Sequence, residues 1–348
     1  MFCGLDSAPQ ARADKPGSAA PNSGQVGLPL WKESTGKHEP VLREEVVKLF
    51  EDNKLSENPH YLDGTFGGGG HTRALLESNP TARVTALDCD PAAKMRADAL
   101  ATEFPDRLKF FDWSFSRIDE LNETGYAGAL FDLGVSSFQL DEAERGFSFR
   151  FAAPADMRLN PRAGMPAAQF LELATREQLV AAVRDAGEEP RWRRVVEAIL
   201  RSRGTGRLAR TDSLAEVVAE AVGTPYGKPS RIHPATKTFQ GLRITLNEEL
   251  VELEAALPKA VKLLAPGGVL AVISFHSLED RIVKRFFNRL CGRPEHEGDS
   301  TPAQMREAKA ELLTRRPIIP AETEISANPR SRSAKLRAAR LLRSTRVR

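Results

Sequence analysis

The stretch YLDGTFGGGGH, residues Tyr61–His71, decides the fold of this 348-residue chain. Its apolar start predicts a short strand that ends at Asp63, and the glycines that follow lead into a segment of helical character. Glycines in a strand-to-helix loop let the backbone pass close to a ligand. The dinucleotide fingerprint G-x-G-x-x-G fails here, because Thr72 stands where its third glycine would be. With an acidic residue at its head, the loop instead suits a ligand that carries an ammonium group.

Short apolar runs alternate with longer amphipathic segments along the chain, which predicts a Rossmann-like α/β fold with one parallel sheet. The five predicted strands are Tyr61–Asp63, Val84–Asp88, Leu108–Phe111, Ala127–Asp132 and Val269–Phe275. Three residues at or just beyond strand ends, Asp88, Phe115 and Asp132, are expected to face one crevice. Asp88 is placed to accept hydrogen bonds from ribose hydroxyls, and Phe115 is placed to stack on an adenine.

The sequence between the fourth and fifth predicted strands is far longer than one crossover helix requires, so it predicts an inserted subdomain. Apolar residues recur there at three- and four-residue steps, which predicts the helices Met165–Leu173, Thr175–Ala186, Arg191–Arg203 and Ser213–Val222. One long helix, Phe239–Leu264, then returns to the core. The predicted organisation is a disordered extension (1–36), a first core part (37–137), a substrate-binding insertion (138–235), a second core part (236–325) and a basic tail (326–348).

Composition restricts the class of protein. Hydrophobic residues make up 41% of the chain, enough for a substantial core, and no apolar run approaches the roughly 20 residues of a membrane span. Cys3, Cys89 and Cys291 are odd in number and far apart, so they predict neither a disulfide framework nor a zinc site. The histidines show no ligand spacing either, so no metal is expected, and the protein is predicted to be cytoplasmic.

The net charge of +3 is the small difference between 50 basic and 47 acidic residues, so attraction to nucleic acid must come from local clustering. From Ser326 to Arg348 every charged residue is basic. Such a tail suits phosphate, and the alternative reading is a solvated basic helix end. A second basic cluster, which contains Lys228 and Arg231, lies where the chain returns to the core. The predicted nucleic-acid contacts, which the resemblance given next identifies as RNA contacts, are Lys237, Arg243, Arg330, Arg332, Lys335 and Arg337.

Seven blocks of sequence resemble the bacterial 16S rRNA cytosine-N4 methyltransferases known as RsmH or MraW. The blocks are HEPVL (38–42), DGTFGGGGH (63–71), FDLGVSS (131–137), DEAERGFSF (141–149), DMR (156–158), HPATKTFQ (233–240) and SFHSLEDR (274–281). The resemblance implies a class I S-adenosylmethionine-dependent methyltransferase with a Rossmann-like core and an inserted helical subdomain. It also implies the substrate, a cytidine in the decoding region of the small ribosomal subunit, near the P site.

The resemblance further implies which residues hold the cofactor. Carried over position by position, these are Gly69, Gly70, His71, Asp88, Phe115, Asp132 and Gln139. Asp63 joins them from the chemistry of the loop, because S-adenosylmethionine carries an ammonium group. Gly68 departs from the family pattern, since some relatives have arginine there.

The expected reaction needs help at the target amine. The N4 amine of cytosine is a poor nucleophile, because its lone pair is delocalised into the ring. A hydrogen-bond acceptor near N4 localises that pair, and Asp132 is placed for this task. His276, after the fifth strand, is the second candidate catalytic residue: it either holds the target base or bonds to neighbouring loops. In the second reading, Ser277 caps the next helix together with Asp280.

Two other functions stay open at this stage. DNA amino-methyltransferases often carry Asp-Pro-Pro-Tyr where this chain has DLGV (132–135), so an aromatic stacked on the target base must come from Phe138, Phe147 or Phe149. A non-catalytic ribosome assembly factor would keep the pocket without turnover. The sequence also leaves open whether the substrate is naked rRNA or an assembled subunit, and whether the chain forms a homodimer.

Overall fold

The computed structural model describes residues 39–223 and 233–343, so the predicted extension 1–36 lies outside the described residues. A seven-stranded sheet with the order β3-β2-β1-β4-β5-β7-β6 forms the centre. The strands are β1 (His60–Asp63), β2 (Arg83–Leu87), β3 (Leu108–Phe111), β4 (Tyr126–Asp132), β5 (Leu264–Ser274), β6 (Ala310–Leu312) and β7 (Lys335–Leu341). β1 to β5 are parallel, whereas β7 runs antiparallel to β5 and β6. The predicted Rossmann-like parallel core is confirmed, with two further strands at one edge.

The prediction of a basic tail from 326 onward is wrong for the part that the structure describes. Its residues Lys335–Leu341 form β7, which lies inside the sheet between β5 and β6. Leu336, Ala338 and Ala339 are buried there, while the basic residues of the strand stay partly exposed. Lysine and arginine bury their aliphatic stems and keep their charged ends near solvent. The dense basic charge therefore concealed the burial pattern of a strand.

Helices cover both faces of the sheet. α1 (Arg43–Asp52), α2 (Gly70–Ser78) and α3 (Pro91–Glu103) pack on one face, and α10 (Glu249–Leu263) and α11 (Ser277–Leu290) pack on the other. Along β5, Ala271 and Ile273 point to the first face and Leu270 and Val272 to the second, the two-residue period of a strand buried on both sides. The short helices α4 (Ser137–Asp141) and α12 (Glu322–Ala327) follow β4 and precede β7. Within the described ranges, no helix is long and apolar enough to cross a bilayer.

The inserted helices have a hydrophobic core of their own. They are α5 (Ala167–Leu173), α6 (Arg176–Val180) with a π-helical continuation (Ala181–Ala186), α7 (Trp192–Ser202), α8 (Thr211–Val222) and α9 (Thr236–Leu246). Leu171, Val196 and Leu214 lie in this core without exposed surface. Phe239 and Leu242 of α9 also pack into it. The helical layer therefore continues past residue 235, where the sequence suggested that the insertion ends.

The single long helix predicted for Phe239–Leu264 is two helices, α9 and α10, that meet at Asn247 and Glu248. The Asn247 side chain donates to the Met157 carbonyl (2.8 Å) and accepts from the Leu159 N–H (2.7 Å). Glu248 has a left-handed backbone with φ of 50°. The break thus ties the helical layer to the segment before α5. Apolar periodicity continues across it, so the sequence pattern did not reveal it.

Candidate active site

Asp63 holds the glycine loop from beneath. Its side chain has no exposed surface, and it accepts hydrogen bonds from the Thr65 N–H (3.1 Å) and the Thr72 hydroxyl (2.6 Å). Burial raises the pKa of Asp63, while these hydrogen bonds oppose the shift. The predicted contact of Asp63 with a ligand ammonium stays a prediction, and in this structure the carboxylate is fully buried and bonded to the loop. Its role is to fix the loop.

Asp88 fixes the same loop from the end of β2 and remains half-buried. It accepts hydrogen bonds from the Gly67 N–H (2.6 Å) and the Asp90 N–H (2.8 Å). Burial raises the pKa of Asp88 to about 6, although both donors favour the charged form. Each carboxylate oxygen has more than one lone pair, so the side chain retains acceptor capacity for a hydroxyl. The predicted ribose contact stays a prediction that this geometry permits.

Gly68 and Gly69 of the loop lie so close to aromatic rings that a side chain at either position would clash. A Cβ at Gly68 would lie 2.5 Å from the Phe138 ring, and one at Gly69, where φ is 79°, would lie 2.6 Å from the Phe66 ring. Gly69 is the N-cap residue of α2, and Gly70 is the first residue of that helix. The first N–H groups of a helix have no partner inside it, so this turn can offer backbone donors to a ligand. Glycine at position 68 fits the loop because Phe138 fills the space above it.

His71 and Asp132 form a pair at the ends of the loop and of β4. The His71 Nε2 lies 3.5 Å from the Asp132 Oδ2, and the His71 side chain is only 5% exposed. Both ring nitrogens of His71 and the Oδ1 of Asp132 are buried, and none has a hydrogen-bond partner among the described residues. The Asp132 N–H donates to the Thr65 hydroxyl (2.6 Å), which holds the end of β4 against the loop. Buried polar atoms usually have hydrogen-bond partners, so these atoms are available to a ligand or to water.

Both ends of the Gln139 side-chain amide form hydrogen bonds within the protein. Its amide nitrogen donates to the Asp90 carboxylate (2.8 Å), and its amide oxygen accepts from the Ser136 N–H (2.9 Å). The same Asp90 oxygen accepts from the Arg145 guanidinium at 2.7 Å. Asp90 also caps α3, directly before Pro91. Sequence reasoning missed Asp90 and Arg145, although aspartate followed by proline is a recognised signal for a helix start.

The aromatic candidates separate into two groups. Phe115 is half-buried and packs edge-on against Phe131, with ring centroids 5.7 Å apart. This position beyond β3 keeps the predicted adenine contact open. Phe147 and Phe149 belong to the core of the inserted helices, where Phe149 packs edge-on against Phe239 at 5.0 Å. These two rings therefore pack within the core of the inserted helices.

His276 is the residue that caps α11. Its Nδ1 accepts from the Glu279 N–H (3.4 Å), its Nε2 lies 3.1 Å from the Glu279 carboxylate, and its side chain is only 8% exposed. Ser277 instead donates to the Glu188 carboxylate at 2.5 Å. The predicted cap by Ser277 with Asp280 is therefore wrong, because the histidine takes that place. A catalytic role for His276 stays a prediction.

A buried ion pair lies beside this cap. Arg243 donates to both oxygens of Glu249 at 2.8 Å, and the side chains are 15% and 10% exposed. Burial is the largest effect and opposes the charge on Arg243, but the charge and hydrogen bonds of Glu249, together with the charge of Glu279, raise the pKa of Arg243. The guanidinium of Arg243 is thus engaged inside the protein, and its predicted RNA contact stays a prediction. Ligand atoms of Glu249, His276 and Glu279 lie within 4.8 Å of one another, but the guanidinium already supplies the positive charge there.

Three other predicted RNA contacts are engaged within the protein. Lys335 and Arg337 both bond to Asp280, at 3.2 and 2.6 Å, and Arg337 is only 12% exposed. The expected phosphate contact of Arg337 stays a prediction, although its side chain is mostly buried and paired with Asp280. Arg330 forms a pair with Asp141 (2.6 Å) in which both side chains keep substantial exposure.

Two predicted RNA contacts remain at the surface. Arg332 is exposed, and no ion pair or hydrogen bond of its side chain is found within the described ranges. Lys237 is exposed and donates to the Glu188 carbonyl at 3.0 Å. Lys228 and Arg231 lie outside the described residues.

The profile of the MraW methylase family matches residues 35–342. Three relatives carry the name ribosomal RNA small subunit methyltransferase H. The one from Methylobacterium nodulans is 46% identical over 86% of this chain and 89% of its own length. Those from Thermomicrobium roseum and Heliobacterium modesticaldum are 45% and 44% identical, over 87% and 88% of this chain and 93% and 99% of their own lengths.

The crystal structure of an rRNA methylase from Streptococcus thermophilus covers 86% of this chain and 97% of its own at 10% identity, with a TM-score of 0.38, a similarity too low to add support. The sheet order and the inserted helices are those of a Rossmann-like class I methyltransferase fold. Together with the match over nearly the whole described chain, this places the chain in the MraW methylase family.

Proposed function

We propose that this chain transfers a methyl group from S-adenosylmethionine to the N4 amine of a cytidine in the decoding, P-site region of 16S rRNA. Family membership supports methyl transfer, and the name shared by the relatives supports small-subunit rRNA as the substrate. The observation that carries the proposal is the pair of His71 and Asp132, whose buried polar atoms have no partners in the described part of the chain. Leaving such atoms unsatisfied is costly, so the pair is built for a ligand.

The residues around that pair fit the proposed cofactor. When bound, S-adenosylmethionine supplies a methyl group that is already activated on a sulfonium. Asp88 would accept hydrogen bonds from the ribose hydroxyls, and Gly69 and Gly70 would let the backbone approach. His71 and Asp132 would meet the polar groups near the sulfonium. Phe115 would lie against the adenine, in line with its half-buried position beyond β3.

Asp132 would act on the amine itself. Its backbone is held by the Thr65 hydroxyl, and its side chain keeps 25% exposure. A carboxylate oxygen that accepts a hydrogen bond from N4–H localises the nitrogen lone pair and orients it for in-line attack. After transfer, the same carboxylate accepts the proton that the methylated amine releases. The leaving sulfide needs no acid, so positioning and exclusion of water supply most of the catalysis.

The basic side chains that remain at the surface would bind the RNA backbone. Arg332 and Lys237 are exposed, and Arg330 and Lys335 sit in surface ion pairs that are individually weak. An exposed pair of this kind exchanges its carboxylate for a phosphate at little cost. The inserted helices form one wall of the resulting surface, since Lys237 belongs to α9.

The direct test supplies methyl-labelled S-adenosylmethionine together with immature small subunits, naked 16S rRNA or DNA. Label on N4 of a cytidine in the rRNA, free or assembled, is the expected result. Label on DNA would show a DNA amino-methyltransferase, and cofactor binding without label on any substrate would show an assembly factor. Asp132→Asn should abolish transfer, whereas Asp112→Asn, at an exposed position just beyond β3, should leave it intact.

A further inference from the structure

A cleft of about 390 Å³ opens where β5 ends, and its lining includes His276, the second candidate catalytic residue. We refer to it as the β5 cleft. Phe275, Ile319 and Ile325 supply apolar walls, and His276, Arg332 and Lys335 supply polar groups. A volume of this size with apolar walls and a few polar groups is typical of a site for a small organic ligand.

The outer wall of the β5 cleft is anchored on both sides. This wall is the segment 319–335, which contains α12. On one side the Glu324 carboxylate accepts a hydrogen bond from the Leu42 N–H (2.9 Å) at the start of α1. On the other side Arg330 pairs with Asp141 at the end of α4, the helix that follows β4. The wall therefore borders the same edge of the sheet at which Asp132 lies.

The β5 cleft lies close to the reacting position. Asp132 pairs with Ile273 in adjacent strands, and Phe275 of the cleft follows two residues later. Neighbouring strands are ~5 Å apart and successive residues advance ~3.3 Å, so the cleft opens on the order of 10 Å from Asp132. Gly134, just beyond β4, would place a Cβ 3.7 Å from the Phe275 ring, so the two strand ends are in contact.

The charges around the β5 cleft favour an anion. Arg332 is exposed with no partner among the described side chains, and Lys335, although it bonds to Asp280, is 39% exposed. Arg337 already neutralises Asp280, so Lys335 is in excess. Glu188 is the opposing charge: it accepts from the Ser277 hydroxyl at the rim, where Arg281 lies 3.5 Å from it.

We propose that the β5 cleft binds the nucleotide next to the reacting cytidine in the substrate RNA. The base lies against Phe275 and Ile325, and Arg332 binds the adjoining phosphate, with Lys335 as a second cation. A nucleotide combines an apolar ring face with an anionic group, which is the combination that these walls offer. This inference rests on the proposed function, because it takes the substrate to be a single-stranded RNA segment whose target base lies at Asp132.

The test compares two variants of the β5 cleft with a matched control. Arg332→Ala removes the phosphate contact, and Ser333→Phe places a ring at the exposed lining position 333. Arg316→Ala removes an exposed arginine of the same region that does not line the cleft. Binding of a cytidine-containing RNA oligonucleotide is measured by fluorescence anisotropy at several salt concentrations. Binding of S-adenosylmethionine is measured separately by calorimetry.

We expect both cleft variants to weaken oligonucleotide binding about tenfold, with cofactor affinity unchanged and the control within twofold of the parent. Arg332→Ala should also reduce the salt slope by about one, the loss of one phosphate contact. Parent-like RNA affinity in Arg332→Ala would overturn the proposal, even if Ser333→Phe failed to fold. Failure of the proposed function has a different signature: the parent would methylate no rRNA, while the binding comparison would still report on the cleft.

Discussion

Replacing Arg145 by methionine removes a link between the start of α3 and the segment before α5. The Arg145 guanidinium donates to the Asp90 carboxylate at 2.7 Å and to the Arg158 and Leu159 carbonyls at 3.1 and 2.8 Å. Asp90 is 2% exposed and the Arg145 side chain is 14% exposed. Methionine keeps much of the aliphatic volume but none of the donors.

Two routes give the same expected magnitude. A typical intramolecular hydrogen bond contributes about 0.5–1.5 kcal/mol, so three of them amount to roughly 2–5 kcal/mol. Removing one partner of a buried ion pair costs about 3–5 kcal/mol, because the other charge is left buried without compensation. For a chain of this size, ~2 °C per kcal/mol converts the loss into a thermal midpoint lower by roughly 6–10 °C.

Thermal unfolding measures this loss, with Arg176→Met as the matched control. Arg176 pairs with Glu197 at the surface, where both side chains are about half exposed, so its loss should cost less than 1 kcal/mol. The double variant Asp90→Asn with Arg145→Met should recover part of the stability, because no buried charge is then left alone. If Arg145→Met lowered the midpoint no more than Arg176→Met, the buried link would be refuted.

Four further changes follow from the site. Asp132→Asn should lower turnover about 100-fold or more while cofactor affinity, measured by calorimetry, changes only a few-fold. Cofactor affinity should fall as the pH drops through about 6, because burial raises the pKa of Asp88 to about 6. Only the ionised carboxylate accepts hydrogen bonds from both ribose hydroxyls. Asp88→Asn should remove this pH dependence. Gly68→Ala should destabilise the fold by about 1–3 kcal/mol in denaturant titrations, since its Cβ would meet the Phe138 ring at 2.5 Å. His276→Ala should reduce turnover more than cofactor affinity and cost about 1 kcal/mol of stability as a lost helix cap.

The sequence predicted the parallel core well because three of its strands, β1, β2 and β4, combined two independent signals. An apolar run predicted the strand, and an acidic residue such as Asp63, Asp88 or Asp132 predicted where it ends. Helices with a clear apolar face, such as α7, were equally visible. These signals are local, so a single sequence carries them.

The remaining elements depend on contacts between distant residues, which no local pattern carries. In the sequence, Lys335–Leu341 is a basic segment without a clear strand pattern. It forms the strand β7 because it pairs with both β5 and β6. The end of α9 depends on Asn247 bonding to Met157 and Leu159, far away in the chain. Likewise, the sequence shows Arg243 only as a basic residue, and the fold is needed to show that Glu249 pairs with it in the interior. Charge in a sequence therefore predicts polarity, but not whether its partner is solvent, phosphate or another side chain.

The four aspartates at the carboxyl edge of the sheet differ in how much of their side chains is exposed to solvent. Asp63 and Asp90 are 0% and 2% exposed, and the protein's own donors engage both carboxylates. Asp88 is half-buried, and Asp132 keeps 25% side-chain exposure together with a buried oxygen that has no partner in the described structure. A carboxylate that is both buried and satisfied stabilises its surroundings, whereas one that is accessible or unsatisfied is available to a ligand. On this physical ground the loop and the α3 cap form the support, and we expect Asp88 and Asp132 to be the carboxylates that contact bound ligands.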